Sequence, residues 1–177
     1  MSELHVVFSH GQESGPTGAK IDRLSAVARA RGAAVDSLDY RADKTPADRV
    51  RRLVAFAREA RAPLLFVGSS LGAYVSLVAC REIPTVGLFL MAPAVYVNAP
   101  GYDVDAFDSL PGDLVVVHGW GDDVVPVENA IRFARGARAE LTLLDAGHRL
   151  SEERSLATLE ERFAAQLARL LPRAVSI

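Results

Sequence analysis

One cysteine, one tryptophan, two methionines and no long hydrophobic run mark what this chain of 177 residues has least of. A lone thiol cannot close an internal disulfide. The neighbours of Cys80 (Leu77, Val78 and Ala79) are apolar, so it reads as a buried thiol in a reducing compartment. No apolar stretch approaches the roughly 18 residues needed to cross a bilayer, and the opening MSELHVVFSH has no basic segment followed by a long apolar one. The expected location is the cytoplasm. An excess of either charge is missing too, since the formal net charge is -2 and Arg is interleaved with Asp and Glu. Without a run of like charge to grip phosphate backbones or anionic lipid, neither nucleic acid nor a membrane surface is an expected partner. There is no H-E-x-x-H, no spaced Cys/His set, no G-x-G-x-x-G and no G-x-x-x-x-G-K-[ST], so no metal or cofactor is expected.

What is present is a chain with 50% apolar and 24% charged residues, enough to bury the core of one globular domain spanning 1–177. Short apolar runs alternate with longer segments of helical period, the pattern of a parallel sheet between two layers of crossover helices. The strands are expected over Leu4 to Ser9, Ala34 to Leu38, Leu64 to Gly68, Thr85 to Met91, Leu114 to His118 and Leu141 to Leu144. Their nearly continuous apolar character predicts that most are covered on both faces. Helices are expected over residues 20 to 31 before Gly32, from Thr45-Pro46 to a stop before Pro63, over Leu71 to Cys80, from Pro126 onward, and from Ser151 through Leu170. The class is α/β, a three-layer α/β/α sandwich on a mainly parallel sheet of about six strands.

Gly68-Ser69-Ser70-Leu71-Gly72 fits G-x-S-x-G at a junction of strand and helix. A serine at the tip of so sharp a turn needs an uncommon backbone conformation, and side chains two residues to either side would strike the strand and helix. With 13 glycines in the chain the five-residue pattern arises readily by chance. Its position between an apolar strand and an apolar helix is what makes Ser70 a candidate nucleophile.

Three further loops complete a larger pattern: Phe8-Ser9-His10-Gly11-Gln12-Glu13-Ser14-Gly15, His118-Gly119-Trp120-Gly121-Asp122-Asp123-Val124-Val125-Pro126, and Asp145-Ala146-Gly147-His148. Together with the turn at Ser70 they resemble the α/β-hydrolase superfamily, in particular its small esterases without a large cap domain. The resemblance covers nearly the whole chain and implies a minimal form of that fold. It lacks the frequent antiparallel pair ahead of the first parallel strand, and the segment from Ala92 to Asp113 is too short for a helical cap.

The resemblance implies the chain order Ser, acid, His, hence Ser70, Asp122 and His148, with Asp123 as reserve acid. The bland alternative for both aspartates is a turn capping the helix at Pro126. Of the four histidines, His148 alone follows the acid; His5 lies inside a strand, and His10 and His118 are read as shaping loops. Oxyanion donors are implied at the N–H of Leu71 and of Gln12, the alternative for the Gln12 segment being a plain flexible connection. Tyr96, Tyr102, Phe107 and Trp120 could line an acyl or alcohol pocket or simply pack on the sheet.

The implied function is hydrolysis of a carboxylic ester of a small acyl substrate through an acyl-enzyme. Thioester or amide hydrolysis and acyl transfer use the same residues. A binding or interaction protein that kept the scaffold without turnover is the alternative of another class.

Overall fold

The computed structural model describes residues 4–107 and 110–171. Six strands form one sheet: β1 (His5–Ser9), β2 (Ala34–Leu38), β3 (Leu64–Ser69), β4 (Gly87–Met91), β5 (Asp113–Gly119) and β6 (Glu140–Leu144). The sheet order is β2-β1-β3-β4-β5-β6, and every neighbouring pair is parallel. Strand faces alternate strictly. Val7, Phe66, Leu88, Leu90 and Val116 join one core with helices α2 (Pro46–Arg58), α3 (Leu71–Ala79) and α4 (Val127–Ala137). Val6, Phe8, Val67, Phe89 and Val117 join the other core with α1 (Ala19–Arg29) and α5 (Glu153–Leu170). The chain therefore builds the expected α/β/α sandwich, with β1, β3, β4 and β5 buried on both sides and β2 and β6 half-exposed at the edges.

Local chemistry accounts for most boundaries. Thr45 caps α2 in a reciprocal box, its hydroxyl accepting from Asp48 N–H at 3.1 Å while Asp48 accepts from Thr45 N–H at 3.0 Å, and Pro46 takes the first helical position. The expected start of α5 needs correction. Its cap is Glu152, whose side chain accepts no backbone N–H, and Ser151 lies one residue outside, so packing of Leu156, Leu159 and Phe163 sets that helix rather than a serine cap. Strand β4 begins at Gly87 instead of Thr85, because its ladder with β3 opens at the pair Leu65 and Gly87. Strands β3, β5 and β6 each run a residue or more beyond the expected ranges. Residues 92–107 and 110–112 hold no helix or strand, in keeping with the short connection expected there.

The strand order reverses direction between β1 and β3, since the chain moves outward from β1 to β2 and then returns to the other side. Crossover connections leave on opposite faces at such a point, opening a crevice beyond the carboxyl ends of the strands. Ser9 and Ser69 close β1 and β3 there. None of the described helices is long and apolar enough to cross a membrane.

Candidate active site

The turn after β3 has the geometry its two glycines suggest. Ser70 holds φ 53° and ψ -116°, a conformation that costs a non-glycine residue of order 1–3 kcal/mol. A Cβ on Gly68 would lie 2.5 Å from the Ala73 Cα, and one on Gly72 would lie 1.9 Å from the Ser9 carbonyl oxygen on β1. Helix α3 thus starts pressed against the sheet, a closeness only glycine permits. Neighbouring backbone fixes the strained serine: Ser70 N–H donates to Met91 O at 2.9 Å, and Ala94 N–H donates to Ser70 O at 3.2 Å.

Beyond β5 and β6 the chains continue to zip together, Trp120 N–H donating to Leu144 O at 2.8 Å and Gly121 N–H to Ala146 O at 3.0 Å. This sets the Asp122 loop against the His148 loop. His148 Nδ1 lies 2.7 Å from Asp122 Oδ2, and His148 Nε2 lies 2.9 Å from Ser70 Oγ. Because a carboxylate can only accept, the Nδ1 position carries the proton and Nε2 is left to accept from the serine hydroxyl.

The Asp122 side chain is fully buried, yet its charge is well met. Oδ1 accepts from Val124 N–H at 2.9 Å and from Val125 N–H at 2.8 Å. On the other oxygen His148 is joined by His118, whose Nε2 lies 3.2 Å away and also 3.0 Å from Val125 O. The turn-forming role considered for this aspartate and its place beside His148 are therefore both occupied, one by each oxygen. Asp123 lies outside this chain of hydrogen bonds and lines the adjoining cavity. Burial lowers the pKa of His118, whose Nε2–H donates to Val125 O with the Asp122 carboxylate 3.2 Å away.

The His10-Gly11-Gln12 loop is equally constrained. His10 Nε2 accepts from Tyr40 N–H at 2.9 Å, which fixes the proton on Nδ1, and Nδ1 donates to Gly11 O at 2.7 Å. The buried Arg49 donates to the same carbonyl at 3.2 Å and to His10 O at 3.3 Å. Burial, with Arg49 nearby, keeps His10 below its ordinary pKa. The peptide group joining Gly11 to Gln12 is thereby held at its oxygen, leaving its N–H fixed in direction. Leu71 N–H, the first of α3, has no intrahelical acceptor. Among the described residues neither the Gln12 nor the Leu71 N–H donates to a loop carbonyl, and both residues line one small cavity of about 370 Å³.

A larger cavity of about 1020 Å³ opens over Ser70 and His148, with Gln12, Lys20, Met91 and Tyr102 among its walls. Of the four aromatics considered for the pocket, Tyr102 lies in it. Phe107 packs edge-on against Tyr96 and Phe133, Tyr96 also sits under Arg132, and Trp120 is exposed outside the cavity. Among the described residues no group of three or more His, Cys, Asp or Glu is placed to hold a metal ion.

Lys20 and Arg49 were not legible as site residues in the sequence, although each carried a signal. Arg49 stands on the buried stripe of α2 one turn before Leu53, and Lys20 is a cation in the first turn of α1, where the helix dipole disfavours it.

No protein-family model matches the chain, and no curated protein matches it significantly. Solved structures do. A protein of the alpha/beta hydrolase superfamily from Xanthomonas campestris is 31% identical, with a TM-score of 0.84 over 94% of this chain and 99% of that one. A second Xanthomonas campestris structure, an α/β serine hydrolase without a lid, aligns over 97% of this chain and 84% of its own at 21% identity and TM-score 0.72. An esterase from Pyrococcus furiosus aligns over 95% and 82% at 17% identity and TM-score 0.75. The latter two likenesses are of fold.

Proposed function

Since the chain belongs to the α/β-hydrolase superfamily, we propose that it is a serine hydrolase that cleaves carboxylic esters through Ser70, His148 and Asp122. The observation that carries the reading is the unbroken line of hydrogen bonds from Asp122 through His148 to Ser70, at 2.7 Å and 2.9 Å.

His148 Nε2 takes the hydroxyl proton as Ser70 Oγ attacks the ester carbonyl, and the resulting imidazolium is stabilised by Asp122. Electron density moves onto the carbonyl oxygen, which the N–H groups of Gln12 and Leu71 receive. Collapse of the tetrahedral species breaks the ester C–O bond, and His148 returns its proton to the departing alcohol. Water then attacks the acyl-enzyme by the same route, releasing the acid and restoring Ser70. The reading includes one domain over residues 1–177, a small acyl substrate with neither nucleic acid nor membrane as partner, no cofactor, and a cytoplasmic setting in which the buried Cys80 thiol stays reduced.

A fluorophosphonate probe tests this directly. Stoichiometric labelling is expected on the wild type and none on Ser70→Ala, which also loses hydrolysis of p-nitrophenyl butyrate. Folded wild-type protein that takes up no label would overturn the reading and favour a binding protein on a hydrolase scaffold.

A further inference from the structure

The cavity above Ser70 contains a cation that the mechanism does not use. Lys20 Nζ donates to Ser69 Oγ at 3.1 Å, one residue before the candidate nucleophile, and to Arg149 O at 2.7 Å, one residue after the candidate base. Both acceptors are neutral, and among the described residues no carboxylate pairs with this ammonium group. Burial lowers its pKa to about 8, with no neighbouring charge to offset the effect. Arg23 is paired with Glu153, Arg41 with Asp39 and Arg52 with Asp43, whereas Lys20, like the buried Arg49, donates to neutral oxygens.

Neither of the two hydrogen bonds requires a charge, because a neutral amide could bridge a hydroxyl and a carbonyl. A partly buried ammonium without a counterion is unfavourable, and its place in the first turn of α1 sets it against the helix dipole as well. The side chain lines the same cavity as Ser70 and His148. An anion bound in that cavity would supply the missing counterion.

Resting on the serine-hydrolase reading above, we infer that Lys20 is a specificity residue and that the substrate is an ester bearing a carboxylate, held by the Lys20 ammonium beside the Ser70 turn. The carboxylate can belong to the acyl group or to the alcohol, and the two are separable by experiment.

Two substrate pairs distinguish them. The first is p-nitrophenyl hemisuccinate against p-nitrophenyl butyrate, and the second meta-acetoxybenzoate against phenyl acetate. The wild type is expected to favour the charged member of one pair by about tenfold or more in kcat/KM, the scale of one charge-assisted hydrogen bond. The pair that shows it assigns the carboxylate to the acyl or the alcohol side. Lys20→Gln retains a donor for Ser69 and Arg149 and is expected to bring that ratio close to one, whereas Lys20→Arg keeps it. A wild type that turns over neutral esters with no charge preference, or a preference unchanged in Lys20→Gln, would overturn the inference while leaving the hydrolase reading intact. Succinate binding, followed by NMR titration, gives an answer independent of turnover: it should be measurable on the wild type and weakened in Lys20→Gln. Equal succinate binding by the two proteins also defeats the inference, even if every ester proves inert and the hydrolase reading has failed.

Discussion

His118 and Asp122 are joined by a 3.2 Å contact at the same carboxylate oxygen that receives His148, so one oxygen serves two imidazoles. Because His118 also reaches Val125 O at 3.0 Å, it ties the carboxylate to the start of the segment leading into α4. Residues that orient a reacting group in this way commonly affect rate by 10–100-fold when removed, as second-layer partners of metal ligands do. His118→Phe is therefore expected to lower kcat by about tenfold or more with little change in KM, and His118→Gln, which can still donate to Val125 O beside Asp122, to recover part of the loss. Equal effects of Phe and Gln would reduce His118 to a packing residue.

Asp122→Asn keeps an oxygen for Val124 N–H and Val125 N–H, but presents His148 with a neutral amide. By analogy with the same change in a serine protease triad, the loss in kcat should be on the order of 10⁴. Asp123 makes no hydrogen bond or ion pair with His148, and Asp123→Asn should cost much less. Steady-state kinetics on the two variants decides between the aspartates; the opposite ranking would move the acid by one residue.

Gly72 and Gly136 are both helical, and the same substitution should act on them with opposite sign. A Cβ on Gly72 would meet Ser9 O at 1.9 Å, while none of the surrounding atoms lies within 4 Å of one on Gly136. Gly72→Ala is expected to destabilise by about 3 kcal/mol or more, as overpacking against backbone does, and Gly136→Ala to stabilise by about 0.5 kcal/mol. Urea denaturation measures both, and a tolerated Gly72→Ala would mean that α3 can move away from β1.

Stability should fall on mild acidification. Burial holds both His10 and His118 below the ordinary value of 6.5 in the folded protein. Below about pH 6.5 the unfolded chain therefore takes up protons that the folded one refuses, so the contribution is complete above that pH and lost as pH falls toward the depressed folded values. Two such groups give a slope of up to about 2.7 kcal/mol per pH unit. Denaturation midpoints at about pH 7 and about pH 5 test this, and His118→Asn should flatten the dependence by one proton. A flat profile would show that these histidines admit protons while folded.

The architecture was legible because apolar runs with turns between them leave few other solutions, and the Ser70 turn because its flanking glycines answer to space rather than to function alone. Less legible was whatever depends on distant partners. Nothing near His118 in the chain reveals that it shares an oxygen with His148, and Arg49, although on the apolar stripe of α2, does not disclose its partners until α2 is placed beside the His10 loop. Lys20 contacts residues 49 and 129 positions away in sequence. Conversely, Ser151 looked like a helix cap on local grounds, and tertiary packing of α5 overrode it.

The hydrogen bond between His148 and Ser70 spans 78 positions of the chain. During synthesis from the N-terminus, the serine turn emerges from the ribosome well ahead of β6 and the loop that follows it. Until β6 pairs with β5, the proposed base His148 is not held beside Ser70, so the proposed activation of the serine waits on that pairing. On the proposed mechanism, pairing of the sixth strand is thus a condition for reactivity.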